Sequence, residues 1–219
     1  RSMSGRDHTR SCSDRPLAWG AALLVLGWGW PVLAQVVPTQ DGTGTEVQQV
    51  GDRFEIRGGT RSGDGANLFH RFDQFGLGTG QVGEFLADSQ TQRIVSRVVG
   101  GDPSQIDGLL RVVGSQADLY LLNPAGIVFG ANARLDVGGS FTASTASGLG
   151  FGGGVFGATG GNLSALVGAP TDLLFAAGPG GGLDRAIVNF GSLAVNPGRS
   201  ILLAAVSYTH LTLPTNREV

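Results

Sequence analysis

Lysine is absent from this chain: all 15 basic residues are arginine, scattered among 17 Asp and Glu for a net charge of -2 over 219 residues. That leaves no basic stripe for nucleic acid, and no phosphate-cradling Gly-x-x-x-x-Gly-Lys motif can be written. There is one cysteine, Cys12. It lies in a segment read below as a leader, so the remaining chain has no disulfide, no thiolate metal site and no thiol nucleophile. Trp19, Trp28 and Trp30 lie in the same segment, which would leave the processed chain without tryptophan and with tyrosine-like emission. Charge is sparse at 15%, yet a mean hydropathy of +0.12 supplies apolar surface to bury and argues against disorder. What is abundant is glycine, with 38 residues and no Gly-X-Y period. Each glycine costs about 1 kcal/mol in a helix interior, so a long-helix fold is excluded and a turn-rich, all-β chain is expected.

The two ends read differently from the middle. Met3 follows Arg1-Ser2, as if translated from upstream of a start, and Arg6, Arg10 and Arg15 precede an apolar run over residues 17–30. That run is too short for a membrane-spanning helix but has the length of a signal-peptide core. Pro31 ends it, and Val32-Leu33-Ala34 sets compact residues before a cut between Ala34 and Gln35. Residues 1–34 are therefore read as an exported chain's leader, handled by the general secretory machinery. At the other end, Ser207-Tyr208-Thr209-His210-Leu211-Thr212 abandons the glycine-rich pattern. Residues 207–219 are read as a foreign tail, the translation of a sequencing adapter, with the natural protein continuing past the 35–206 domain.

Between those ends, short alternating apolar runs are punctuated by Gly, Asn, Asp and Pro, which is an all-β signal. Strands are expected at residues 54–56, 94–99, 109–113, 186–190 and 201–205. In Arg134-Leu135-Asp136-Val137 the two apolar residues share one face and the two charges the other. Asn123-Pro124-Ala125-Gly126 fits a type I turn position by position: Asn accepts from the backbone, Pro presets φ, and Gly closes the turn. No long helix is present to serve as a crossover. A sandwich, a closed barrel and a β-solenoid all satisfy this pattern. At about 20–25 residues per coil a solenoid would hold seven or eight coils.

Several motifs in order carry a resemblance. Gly65-Ala66-Asn67-Leu68-Phe69-His70-Arg71-Phe72, Ile94-Val95-Ser96-Arg97-Val98, Ile106-Asp107-Gly108, Asn123-Pro124-Ala125-Gly126-Ile127 and Gly138-Gly139-Ser140-Phe141 resemble the filamentous haemagglutinin amino-terminal secretion domain of two-partner-secretion exoproteins, in its cyanobacterial-type form. The likeness covers residues 39–205. It implies a right-handed parallel β-helix with an amino-terminal cap and short extra-helical hairpins. It also implies a function: recognition by a cognate outer-membrane β-barrel transporter with periplasmic soluble domains, then folding outside a Gram-negative-type envelope as the first part of a secreted or surface adhesin. A host or cell-surface ligand would be bound by the region beyond this chain. The residues matching the family's secretion motifs are Asn67, Leu68, Phe69 and His70, and Asn123, Pro124, Gly126 and Ile127. Two positions depart from the pattern: Arg71 stands where Ser is usual, and Ala125 replaces the second Asn of the turn.

No enzymatic activity, cofactor or metal is expected. His70 is the one histidine of residues 35–206 and has no nucleophile partner in the nearby sequence. Asp102 and Asp107 could be imagined as the paired carboxylates of a β-helical polysaccharide lyase or hydrolase, but each precedes Pro or Gly and reads as a turn residue. The competing readings are that exported carbohydrate-active enzyme and a solenoid segment of an autotransporter. Phe69, Phe72 and Phe75 are expected in the core or over the open first coil, and residues 150–157 as a mobile loop.

Overall fold

The computed structural model describes residues 35–176 and 185–210, the last four as backbone alone. The leader, with Ala34 of the expected cut, and residues 211–219 of the expected tail lie outside them.

Glycine and asparagine corners break the chain into short strands, and the strands of the coil pair in parallel with their equivalents about 25 residues further on. A leading piece consists of β1 (Val36–Pro38), β2 (Thr45–Val50), β3 (Arg53–Gly58), β4 (Thr60–Arg61) and β5 (Asn67–Phe75). The repeating unit is then β6 (Val82–Leu86), β7 (Arg93–Val98), β8 (Ser104–Ile106), followed by β9 (Leu109–Val113), β10 (Asp118–Leu122), β11 (Ile127–Phe129). The next turn opens with β12 (Arg134–Asp136) and β13 (Phe141–Ser144), and leaves the coil for β14 (Gly148–Phe151), β15 (Gly154–Phe156), a 3-10 turn at Leu163–Ala165 and β16 (Asp172–Leu174). It returns in β17 (Ala186–Asn189) and continues into β18 (Ile201–Ala204) and β19 (Ser207–His210).

Three parallel ladders run along the coil: β5-β7-β10-β13-β18, β3-β6-β9-β12 and β8-β11-β17-β19. Asn67, Arg93 and Asp118 stand side by side in register, as do Leu119, Phe141 and Ile201. The fold is a parallel β-helix. At the amino-terminal end β1 pairs antiparallel with β5 and β2 antiparallel with β3, so the first turn's edges are covered by strands of opposite direction. Ser207–His210, part of the segment read as a foreign tail, runs parallel to β17 as backbone.

The coil makes about four turns, not seven or eight. A turn consumes about 25 residues, and the cap together with the excursion between β13 and β17 takes the remainder.

Two apolar cores result. The inner one fills the coil with Phe72, Phe75, Phe85, Ile94, Leu110, Leu119, Ile127, Phe129 and Phe141, stacked turn on turn. The second lies outside the coil. Side chains of β5, β7 and β10 that point away from the interior, Phe69, Val95 and Leu122, are covered by Leu149, Phe151, Phe156, Leu163 and Leu166 of the excursion. Phe69 meets Phe151 edge-on at 5.7 Å and Phe156 at 4.9 Å. The loop expected at 150–157 is thus a packed hairpin: Leu149 pairs with Phe156 across an antiparallel ladder, because its alternate side chains have an outer sheet face to cover. The aromatic trio of β5 divides accordingly, with Phe72 and Phe75 inside and Phe69 outside.

Candidate functional site

The two motif segments lie on different turns and at opposite ends of their strands. Asn67 opens β5; Asn123 follows the last residue of β10. Leu122 is in register with Arg97 and Arg97 with Arg71, so the turn at 123–126 begins at the level of Phe72, five residues along β5 from Asn67. They do not converge on one surface patch.

Asn67 is fully buried. Its Nδ2 donates to the carbonyls of Leu166 at 2.8 Å and Gly168 at 2.9 Å, while its backbone N–H donates to Ser62 Oγ at 2.9 Å. The same stretch of the excursion is held by Asp64, which accepts from the Gly168 N–H at 2.9 Å, and by the Gly63 N–H, which donates to the Ser164 carbonyl at 2.8 Å. The hydrogen bond from Ser62, then those from the Gly168 and Ala66 backbones, hold the Asp64 carboxyl below the usual carboxylate range. The side-chain amide of Asn67 is therefore a clamp between the first turn and the outer layer, inserted where a backbone segment would otherwise bury unpaired carbonyls.

Leu68 and Phe69 are buried on opposite faces of β5. His70 faces inward, against Phe72 and Phe85. Its Nδ1 lies 3.3 Å from Thr45 Oγ1 and its Nε2 has no partner. Desolvation pulls its pKa from 6.5 down to about 3, so it is neutral at physiological pH and packs as an apolar ring. Gly59, at φ +82°, admits the ring: a Cβ there would lie 2.8 Å from His70 Cε1.

Asn123 is equally committed. Its Nδ2 donates to the Asp102 carbonyl and to Ser104 Oγ, both at 2.9 Å, and its Oδ1 accepts from the Ala125 N–H at 2.9 Å. The Gly126 N–H donates to the Asn123 carbonyl at 3.0 Å, closing the expected turn, and Gly126 takes φ +119°. Ile127 is in the inner core. Pro124 and Ala125 alone are half-exposed, so the departure from the family pattern at Ala125 falls on the open side of the turn, away from the buried amide. Gln35, on the other side of the expected cut, is exposed and its carbonyl accepts from the Gly76 N–H.

One centre carries no signal in local sequence. Arg71, 3% exposed, donates to Asp41 Oδ2 at 2.9 Å and to the carbonyls of Gly157 and Gly160 at 3.1 and 3.0 Å, with its guanidinium 4.8 Å from the Phe156 ring centre. It ties the cap, the first turn and the hairpin together, across 30 to 89 residues of chain. Arg97 lies beside it in register. Desolvation and then the Arg71 charge lower the Arg97 pKa to about 10, leaving it charged, with one hydrogen bond to the Ser147 carbonyl.

The two aspartates considered for catalysis have separate occupations. Asp107 accepts from Thr79 and from both nitrogens of Asn132, and Asp102 lies 3.4 Å from Gln74 Nε2. Among the described residues no three His, Cys, Asp or Glu side chains gather at one point.

Residues 34–207 match the family model described as the TPS secretion domain. No curated protein matches. Among solved structures, the chain is similar to the HMW1 secretion domain from Haemophilus influenzae, with 20% identity and a TM-score of 0.49. The likeness covers 80% of this chain and 39% of that one.

Proposed function

Since this chain belongs to the TPS secretion domain family, we propose that it directs the export of a larger exoprotein by offering the segments around Asn67 and Asn123 to a dedicated outer-membrane β-barrel transporter before the β-helix forms. The general secretory machinery would deliver the chain to the periplasm, the transporter's soluble domains would capture it there, and the product would be secreted or displayed at the surface, as an adhesin of the cyanobacterial-type branch. No catalysis is assigned to the domain.

The observation that carries the timing is burial. Asn67 and Asn123 have their side-chain amides spent on internal carbonyls and hydroxyls, and Phe69, His70 and Ile127 are inaccessible. A partner that reads these side chains must meet them while the chain is extended. Their second role follows on the far side of the membrane, where each closes a corner or clamp as it emerges. Nearest-neighbour stacking suits such vectorial folding. For about 170 residues a typical stability of 0.05–0.15 kcal/mol per residue gives about 9–25 kcal/mol to bias threading outward.

Secretion of Asn67→Ala and Asn123→Ala chains beside the transporter tests the reading. Both are expected to lose most secretion while the leader is still removed at the normal rate. Secretion at the wild-type level by both variants would overturn it.

A further inference from the structure

One corner of the coil carries an open cleft of about 880 Å³ that neither motif segment lines. Its walls come from the corners leading into successive rungs of one ladder: Gln92 before β7, Gln116 before β10 and Arg199 before β18. Between the last two, the corner before β13 is drawn in tight. A Cβ on Gly139 would lie 2.5 Å from the Ala117 carbonyl oxygen, and one on Gly138 would meet the Gln116 side chain at 2.4 Å. The cleft therefore follows the coil axis over three rung steps, about 14 Å at 4.8 Å per rung.

Its charges are unequally committed. Arg111 is matched by Asp136 at 2.8 Å and by Glu84 at 3.7 Å. Asp118 accepts from the Ser140 N–H at 2.7 Å. Arg93 and Arg199, three rungs apart, have no carboxylate partner among the described residues. The side chains of Gln92 and Gln116 make no hydrogen bond there either. Arg93 Nη1 makes two long hydrogen bonds, to Asn67 Oδ1 at 3.4 Å and to the Gly168 carbonyl at 3.3 Å, which leave its other donors open. The chemistry on offer is thus two guanidiniums spaced along an axis, with the amides of Gln92 and Gln116 beside them. No aromatic ring lines the cleft, and its apolar wall is Val112 and Val113, so nothing seats a bulky peptide side chain. Guanidinium takes a carboxylate in a bidentate pair, and free amides in an open, hydrated groove suit hydroxyls.

We propose that this cleft binds an acidic oligosaccharide lying along the coil axis, with carboxylates on Arg93 and Arg199 and hydroxyls on Gln92 and Gln116. The proposal stands apart from transporter recognition, since it uses the folded domain and no motif side chain lines the cleft.

The test is titration of the full, folded chain with an oligogalacturonate, followed by calorimetry and by amide chemical shifts. Binding is expected, with shifts centred on residues 89–93 and 112–118, and Arg199→Gln is expected to weaken it about tenfold. A neutral malto-oligosaccharide of equal length should not bind. Arg57→Gln, an exposed arginine on β3 outside the cleft, should leave affinity unchanged. The proposal is overturned by no binding, by equal binding of the neutral sugar, or by equal weakening in Arg57→Gln, which would mean diffuse charge attraction. Tighter binding of hexaglutamate would overturn it in favour of an acidic peptide. A misfolded Arg199→Gln, seen as a lost strand signal in circular dichroism, passes the decision to the wild-type shift map: shifts elsewhere contradict the site.

Discussion

The inner core and the outer layer are built from the same residue types but held by different means. Inside the coil, each apolar side chain rests on an equivalent one a turn away, as Leu119 does on Ile94 and Phe141, so the core is extended by repetition. Outside, the hairpin and the turn after it cover Phe69, Val95 and Leu122 once only. They are fastened by polar clamps from the first turn: Asn67, Asp64 and Arg71 all grip backbone of the excursion. Repetition makes a region that can form as it emerges. A single layer clamped over long sequence separations must wait for both halves of the contact. The outer layer is therefore expected to close last, and its clamp residue Asn67 to be the more persistently available motif.

The largest expected effect separates the two cores. Phe72→Ala, in the inner core, should cost about 3–5 kcal/mol of global stability in denaturant unfolding. Phe156→Ala should release amides of β14 and β15 to hydrogen exchange while the ladder β7-β10-β13 keeps its protection. Equal loss of protection in both regions would mean one cooperative unit rather than two.

Asn67→Ala leaves the Leu166 carbonyl without its donor and the Gly168 carbonyl with only the longer bond from Arg93 at 3.3 Å. It should cost about 2–3 kcal/mol, confined to the outer layer in the same exchange experiment.

The next prediction belongs to the inner region. The folded-state pKa of His70, about 3, lies below its ordinary 6.5, so its contribution is fully present above pH 6.5 and is lost as pH falls, because the unfolded state takes up the proton first. From pH 7 to pH 5 the chain should lose about 2 kcal/mol, and His70→Gln should flatten that slope. An unchanged slope in the variant would show that His70 is not desolvated.

The smallest effect is at the turn. Ala125→Asn restores the family residue at a half-exposed position and should change stability by less than about 0.5 kcal/mol. A gain in secretion without a gain in stability would mark that side chain as read by the transporter.

Legibility in the sequence follows the same division. The turn at Asn123 was readable because its bonds are local, Gly126 N–H to Asn123 carbonyl, and β9 at Leu109–Val113 coincides with its apolar run. The outer layer was not readable: Gly148 and Gly150 alternate with Leu149 and Phe151 and look like loop, and the surface they cover lies on β5, β7 and β10. The clamp from Asn67 reaches Leu166, 99 residues away, and Arg71 looked like a departure from pattern until its three partners were in place. The burial of the Asn67 and Asn123 side chains was not legible either, because the carbonyls they bond, of Leu166 and Asp102, are remote in sequence.

The central claim is that the address is legible only before folding. It is tested most directly by binding the transporter's soluble periplasmic region to two preparations of the chain, one folded and one diluted from urea immediately before mixing. Capture of the freshly diluted chain, fading at the rate at which Asn67 and Asn123 amides become protected from exchange, is the predicted result. Equally tight capture of the folded chain would contradict it.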